Sequence, residues 1–266
     1  MQSLGRAIDE YLVEKAREKD RLKREKKGKA DVILFSPYLI GKCSRHAAYK
    51  LLGYPDEPDA RTLKIAENGD AMHERYQRLL SSMGYLIYPE YKIKDEELHV
   101  YGRTDGLMVI NDELVLLELK SCGIYDFQQM ASTGQPRSDY ADQLMLYMHL
   151  TGVKKGIILV ECIITERKGH IKMAPPREDE FYASDFLLEF HLKYNQEHAD
   201  RVVRKVKRIL ELIEKGILPE REFSKDSFDC RYCPFHDYCW LGAELTEEEK
   251  ALLVRPVVGD LEEESA

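Results

Sequence analysis

The sequence predicts an α/β protein with a central mixed β-sheet flanked by helices, and three observations carry that prediction. Helical periodicity comes first, at residues 4–27, 36–51 and from about 68 to 83. A tight hairpin follows, with Gly102-Arg-Thr-Asp-Gly-Leu-Met-Val-Ile running into Asn111-Asp112 and back along Glu113-Leu-Val-Leu-Leu-Glu-Leu-Lys. Residues 156–164 are then a nearly continuous apolar run, the pattern of a strand covered on both faces.

Taken in order, residues 4–27 form a charged helix with apolar positions Leu4, Ile8, Leu12 and Val13, ended by Gly28. Ser36-Pro37 has the form of an N-cap followed by proline at the first helical position. It opens a helix carrying Tyr38, Leu39, Cys43, Ala47 and Leu51, which Gly53 and Pro55 stop. A further helix begins near Asn68, with Met72, Tyr76, Leu79, Leu80 and Met83 at helical spacing. Residues 85–93 are strand-like, and the hairpin comes next. Residues 139–150 form a short helix closed by Gly152, and Ser184-Asp185 opens a long amphipathic helix reaching about Lys215. The expected organisation is a charged N-terminal helix over residues 1–30, one domain over 31–240 and an acidic tail over 241–266.

The hairpin carries the chemistry. Asn and Asp favour two-residue turns, which would set Ile110 across from Glu113 and, following the register outward, Asp105 across from Glu118. Cross-strand partners have Cβ atoms roughly 4.5–5.5 Å apart, so both carboxylates could hold one divalent cation. Side chains alternate along a strand, and Lys120 therefore shares the face of Glu118. Two carboxylates, a cation and an ammonium group suit phosphodiester hydrolysis, in which metal neutralises phosphate and activates water. Asp…Glu-x-Lys alone is a weak signal. Here it lies among Leu114, Val115, Leu116, Leu117 and Leu119, where surface salt bridging explains it poorly.

Gly69 and His73 lie on one face of their helix, where the glycine leaves space and an imidazole can complete a metal shell. Gln143 and Tyr147 are another i, i+4 pair. As a set, Gly69-x-x-x-His73, Gly102-x-x-Asp105-Gly106, Glu118-x-Lys120-Ser121 and Gln143-x-x-x-Tyr147 resemble, in order and spacing, the RecB-like nucleases of the PD-(D/E)XK superfamily over roughly residues 36–150. The resemblance implies a restriction-endonuclease-like sheet, with His73, Asp105, Glu118 and the Leu119 carbonyl on Mg²⁺ or Mn²⁺. It also implies a catalytic Lys120, and Gln143 and Tyr147 supporting the site or the DNA strand. An exonuclease on single-stranded DNA or DNA ends follows from it, working in recombination, repair or CRISPR adaptation with the proteins of those pathways. The alternative is a DNA-binding or adaptor subunit on the same scaffold; the intact His73, Asp105, Glu118 and Lys120 argue against it.

Cys230-x-x-Cys233 and Cys239 place three thiols within ten residues, a spacing that wraps a metal without strain. His236 would complete a Cys₃His zinc site, and Cys43 a Cys₄ site suited to a [4Fe–4S] cluster. The resemblance favours the cluster. The iron–sulfur branch of these nucleases, which includes CRISPR-associated exonucleases and AddB-type helicase–nucleases, has one cysteine before the nuclease motifs and three after them. Ser36-x₆-Cys43-x-Arg45 is similar to its N-terminal element, although Ser44 stands where proline is common. Such a cluster would join the N- and C-terminal segments. Cys122 and Cys162 are expected to be small buried hydrophobes.

Composition bounds the rest. With 266 residues, 44% hydrophobic and 33% charged, the chain can bury a substantial core. No apolar run approaches the ~18 residues of a membrane span, and no signal-peptide pattern opens the chain, so a cytoplasmic protein without a membrane partner is expected. The net charge of −8 does not advertise a DNA binder, but the C-terminal acids supply much of it. Basic residues gather at 19–29 and 201–208, where they could meet phosphates or simply face water.

Overall fold

The computed structural model describes residues 4–27, 33–56, 58–163, 173–177, 180–184 and 186–254. Gly28, Ile164, Asp185 and residues 255–266 of the acidic tail lie outside the described residues. Two compact units emerge. One holds residues 1–35, 42–64 and 205–266, and the other residues 36–41 and 65–204. Among the described residues no helix is long and apolar enough to cross a membrane.

The second unit contains the sheet. Its strands are β1 (Leu86–Asp95), β2 (Val100–Ile110), β3 (Glu113–Cys122), β4 (Lys155–Cys162), β5 (Phe181–Ala183) and β6 (Leu187–Lys193). The spatial order is β1-β2-β3-β4-β6-β5. Only the β3–β4 pairing is parallel among these neighbours, which makes the sheet mixed. The hairpin is as expected: Asn111 and Asp112 have φ of 50° and 62°, the left-handed pair a two-residue primed turn needs, and Ile110 pairs with Glu113.

Helices cover both faces. On one face α4 (Ile124–Thr133) and α5 (Ser138–Thr151) bury Phe127, Met130, Leu144 and Met148 against Leu116, Ile158 and Val160. On the other, Met72 of α3 (Ala60–Ser82) joins Leu117, Leu119, Ile157 and Leu159, with Tyr76 and Leu80 beside them. Full burial of each such side chain stabilises by about 1.5–3 kcal/mol, so the apolar stretch flanking Glu118 is held from above and below. Cys122 and Cys162 are buried register partners on β3 and β4, as expected of small hydrophobes.

Several elements differ from expectation. The helix read from Asn68 starts at Ala60, because Asp59 Oδ1 accepts the Thr62 N–H at 2.7 Å and caps an earlier turn. The segment opened by Ser36-Pro37 is only a 3₁₀ turn over Pro37–Gly41. Cys43 is extended (φ −55°, ψ 140°), and α2 (Ser44–Leu52) begins after it and ends on left-handed Gly53. The long helix read from residue 184 divides into β6 and α6 (Gln196–Glu214). Leu188 and Phe190 alternate into the core, and Asn195 Oδ1 accepts the His198 N–H at 2.8 Å to start the helix there.

The first unit joins α1 (Leu4–Lys27) and α2 to the short helices α7 (Phe228–Arg231) and α8 (Glu247–Ala251). Phe235 is its aromatic centre, with ring centroids 5.0 Å from His46 and 5.6 Å from Tyr49. On α1 Arg21 pairs with Glu25 toward solvent, whereas Arg24 and Asp20 pair with each other, their side chains only 12% and 17% exposed.

Candidate active site

Register brings the carboxylates into a row. Gly106 pairs with Leu117, so one step further Asp105 stands across from Glu118. There the two strands part, and Asp105 Oδ2 takes the Leu119 N–H at 2.6 Å. A backbone donor next to Glu118 is thus satisfied by a side chain. The sheet opens there without leaving that N–H orphaned.

His73 comes from α3, and its Nδ1 lies 3.1 Å from Asp105 Oδ1. Burial is the largest single influence and pulls the imidazole down. The hydrogen bond and charge of Asp105, with Glu118 behind it, together outweigh that and leave His73 above its ordinary value. Gly69, one turn earlier, faces Ser121. A Cβ there would meet Ser121 Oγ at 3.6 Å, an ordinary contact.

Glu118 is 2% exposed. Lys120 Nζ donates to its Oε1 at 2.7 Å, whereas among the described residues Oε2 has no hydrogen-bond partner. Burial pushes this carboxyl well above its ordinary range, against the pull of Lys120. Lys120 feels the converse. Burial lowers its affinity for a proton, but Glu118 and then Asp105 more than restore it, and the ammonium form is favoured.

Lys120 also donates to Gln143 Oε1 at 3.0 Å. One turn along the same helix, Tyr147 donates to the Arg103 carbonyl at 2.7 Å. The helical pair 143/147 therefore spans from the ammonium group of β3 to the backbone of β2. Tyr147 fits only because residue 102 is glycine: a Cβ there would stand 2.6 Å from Pro37 and 3.1 Å from the Tyr147 oxygen. The Tyr140 ring lies 5.4 Å from Lys120 Nζ and 5.0 Å from the Arg137 guanidinium. Phe127 is wholly in the core, and Tyr125 is 86% exposed.

His73, Asp105, Glu118, Lys120, Gln143 and Tyr147 are thus one connected constellation. Leu119 contributes its N–H, and its side chain packs on the opposite face. One residue was missed. Glu90 of β1 offers a carboxylate oxygen that lies, with ligand atoms of His73 and Asp105, within a mutual 4.8 Å. The register of β1 against β2 was the signal: Pro89 pairs with Gly106 and Tyr91 with Thr104, which brings Glu90 opposite Asp105. An imidazole, clustered carboxylates and an orphaned buried oxygen are the donor set of a divalent cation.

In the first unit, burial raises the Cys43 thiol. The Cys233 thiol is pushed up to about 11, chiefly by burial; among the described residues the grouping of three ligand atoms within 4.8 Å of one another is His73, Glu90 and Asp105 and includes none of these cysteines.

A model of the PD-(D/E)XK nuclease superfamily matches residues 41–240. No curated protein matches the chain. Among solved structures, that of SSO0001 is 17% identical and covers 90% of this chain and 98% of its own, with a TM-score of 0.54. An alkaline exonuclease (LHK-Exo) from Laribacter hongkongensis is 14% identical over 72% of this chain and 93% of its own, at a TM-score of 0.47. A phage-related exonuclease from Haemophilus somnus is 16% identical over 65% and 82%, at 0.44. The family match spans the carboxylate row, the lysine and the cysteine-rich segment alike, and the chain belongs to the PD-(D/E)XK nuclease superfamily.

Proposed function

We propose that this protein is a Mg²⁺- or Mn²⁺-dependent deoxyribonuclease, an exonuclease acting on single-stranded DNA or DNA ends. The observation that carries the reading is the buried Glu118, with one oxygen on Lys120 and the other unpartnered, beside Asp105 and His73. His73, Asp105, Glu118 and the Leu119 carbonyl would hold the cation, and the imidazole nitrogen favours Mn²⁺ over Mg²⁺. When bound, the cation supplies charge neutralisation at the scissile phosphate and a water acidified toward neutral pH.

The remaining work belongs to side chains. An ammonium group has three N–H donors. Lys120 commits one to Glu118 and one to Gln143, leaving the third for a phosphate oxygen or the attacking water. Placed there, Lys120 would act as an orienting donor and a positive charge at the transition state. Gln143 and Tyr147 fix where that donor points.

We also propose that Cys43, Cys230, Cys233 and Cys239 hold a structural [4Fe–4S] cluster, a reading supported by the Cys230-x-x-Cys233 and Cys239 spacing and by Cys43 lying in the same compact unit. Zinc is the competing occupant, and iron, sulfide and zinc content of the purified protein distinguishes the two.

The test of activity uses end-labelled linear DNA, single- and double-stranded, beside closed single-stranded circles, each with Mn²⁺. Release of mononucleotides or short products from linear strands, sparing of circles, and loss in Lys120→Ala and Asp105→Ala are expected. Inert wild-type protein, or full activity in both variants, refutes it.

A further inference from the structure

Glu90 stands outside the motif set, and its backbone is unusual. Its φ is +52°, a left-handed conformation that side-chain-bearing residues adopt at a cost and that concentrates where a site demands it. Glu90 Oε1 accepts from Gln77 Nε2 at 3.1 Å, and the same amide donates to the Asp105 carbonyl at 2.9 Å. One α3 side chain therefore clips Glu90 and Asp105 together.

The other Glu90 oxygen, Oε2, lies 2.5 Å from Arg103 Nε as an ion pair but, among the described residues, accepts no hydrogen bond. The two cationic side chains at the row of carboxylates are unlike. Lys120 is 22% exposed and engages two acceptors, whereas the Arg103 side chain is 65% exposed. A guanidinium that far into water gives up an ion pair at little cost. Glu118 Oε2, buried and unpartnered, marks the neighbouring side of the same row as short of positive charge.

The geometry points to Glu90 as a further protein ligand of the divalent cation, beside His73 and Asp105, with Arg103 as the exchangeable counter-ion that holds its carboxylate until a cation takes over. The inference rests on the cation-dependent nuclease reading above. It makes one prediction that a cross-strand salt bridge of purely structural role does not. Removing Glu90 weakens cation binding, while removing Arg103, its competitor, strengthens it.

The experiment titrates Mn²⁺ into the full chain, following free ion by electron paramagnetic resonance and heat by calorimetry. It compares wild type, Asp105→Asn, Glu90→Gln and Arg103→Gln after thermal melts establish that each is folded. Glu90→Gln is expected to weaken binding about tenfold or more, and Arg103→Gln to tighten it several-fold. Unchanged affinity in Glu90→Gln, or no tightening in Arg103→Gln, overturns the proposal. If Glu90→Gln does not fold, the Arg103→Gln arm decides alone. Saturable Mn²⁺ binding that Asp105→Asn abolishes and Glu90→Gln leaves intact sinks this assignment and spares the nuclease reading. Wild-type protein that takes up no Mn²⁺ sinks both.

Discussion

Gly69 and Gly102 belong to the same motif set, yet a single methyl group would be felt in opposite senses at the two. At Gly102 the new carbon would fall 2.6 Å from the rigid Pro37 ring and 3.1 Å from the Tyr147 hydroxyl, so Gly102→Ala should destabilise by about 1–3 kcal/mol. At Gly69, inside α3 and 3.6 Å from Ser121, alanine should stabilise by about 0.5–1 kcal/mol through helix propensity. Thermal melts of the metal-free protein read both; equal shifts would refute the distinction. Lys120→Ala adds a pH signature. The Glu118 carboxyl is raised above its ordinary 4.5 by burial, so its contribution to stability is complete below that value and lost as pH rises through the folded one. Without Lys120 that loss deepens, and the melting deficit relative to wild type should be small near pH 4.5 and grow toward pH 8. A deficit that shrank with rising pH would contradict the burial argument. Asp105, Glu118 and Lys120 were legible because a period-two strand and a two-residue turn fix their register arithmetically. Glu90 was not, because its position needs the register of a second pairing whose strand carries an irregularity between Leu86 and Tyr88.

At the scale of elements, the hairpin turn is where local sequence and structure agree most directly. Asn111 and Asp112 both sit at positive φ, which asparagine tolerates and aspartate tolerates less well than glycine. Asp112→Gly should therefore raise the stability of the β2–β3 pair by about 0.5–1 kcal/mol, seen as a melting temperature higher by about 1–4 °C. A lower melting temperature would mean that unfolded-state entropy dominates the turn. The region after residue 180 shows the limit of periodicity. Residues 187–193 hold leucine, phenylalanine and charged residues in an order compatible with either period, and one more strand was needed to cover β4. Helical reading starts correctly only at Asn195, whose side chain caps α6. Asn195→Ala should cost about 1 kcal/mol, measurable in the same melts.

For the whole molecule, the decisive long-range feature is that residues 1–35, 42–64 and 205–266 form one unit although the sheet-bearing chain lies between them in sequence. Composition and net charge could not reveal that closure; the distribution of one cysteine early and three late hinted at it. If Cys43 and the Cys230–Cys239 group share a cluster, they close a loop of about 190 residues, and by the loop-entropy estimate for a covalent cross-link the constraint stabilises by about 5 kcal/mol. Stripping the metal should then lower the melting temperature of the full chain by several degrees. Cys43→Ser should reproduce that loss even though it leaves the three C-terminal thiols intact, because the closure, and not the local turn around Cys230 and Cys233, carries the energy. The measurement is a melt of native, chelated and Cys43→Ser protein alongside metal analysis and the broad visible absorbance near about 400 nm expected of thiolate-bound iron–sulfur clusters. A brown wild type whose colour and extra stability vanish together in Cys43→Ser supports the closure. A colourless protein holding one zinc with Cys43→Ser unaffected would assign the metal to Cys230, Cys233, Cys239 and His236 instead, and would leave the joining of the early and late segments to contacts such as Phe235 on His46 and Tyr49, Ser44 N–H on Glu222 and Val254 N–H on the Leu52 carbonyl.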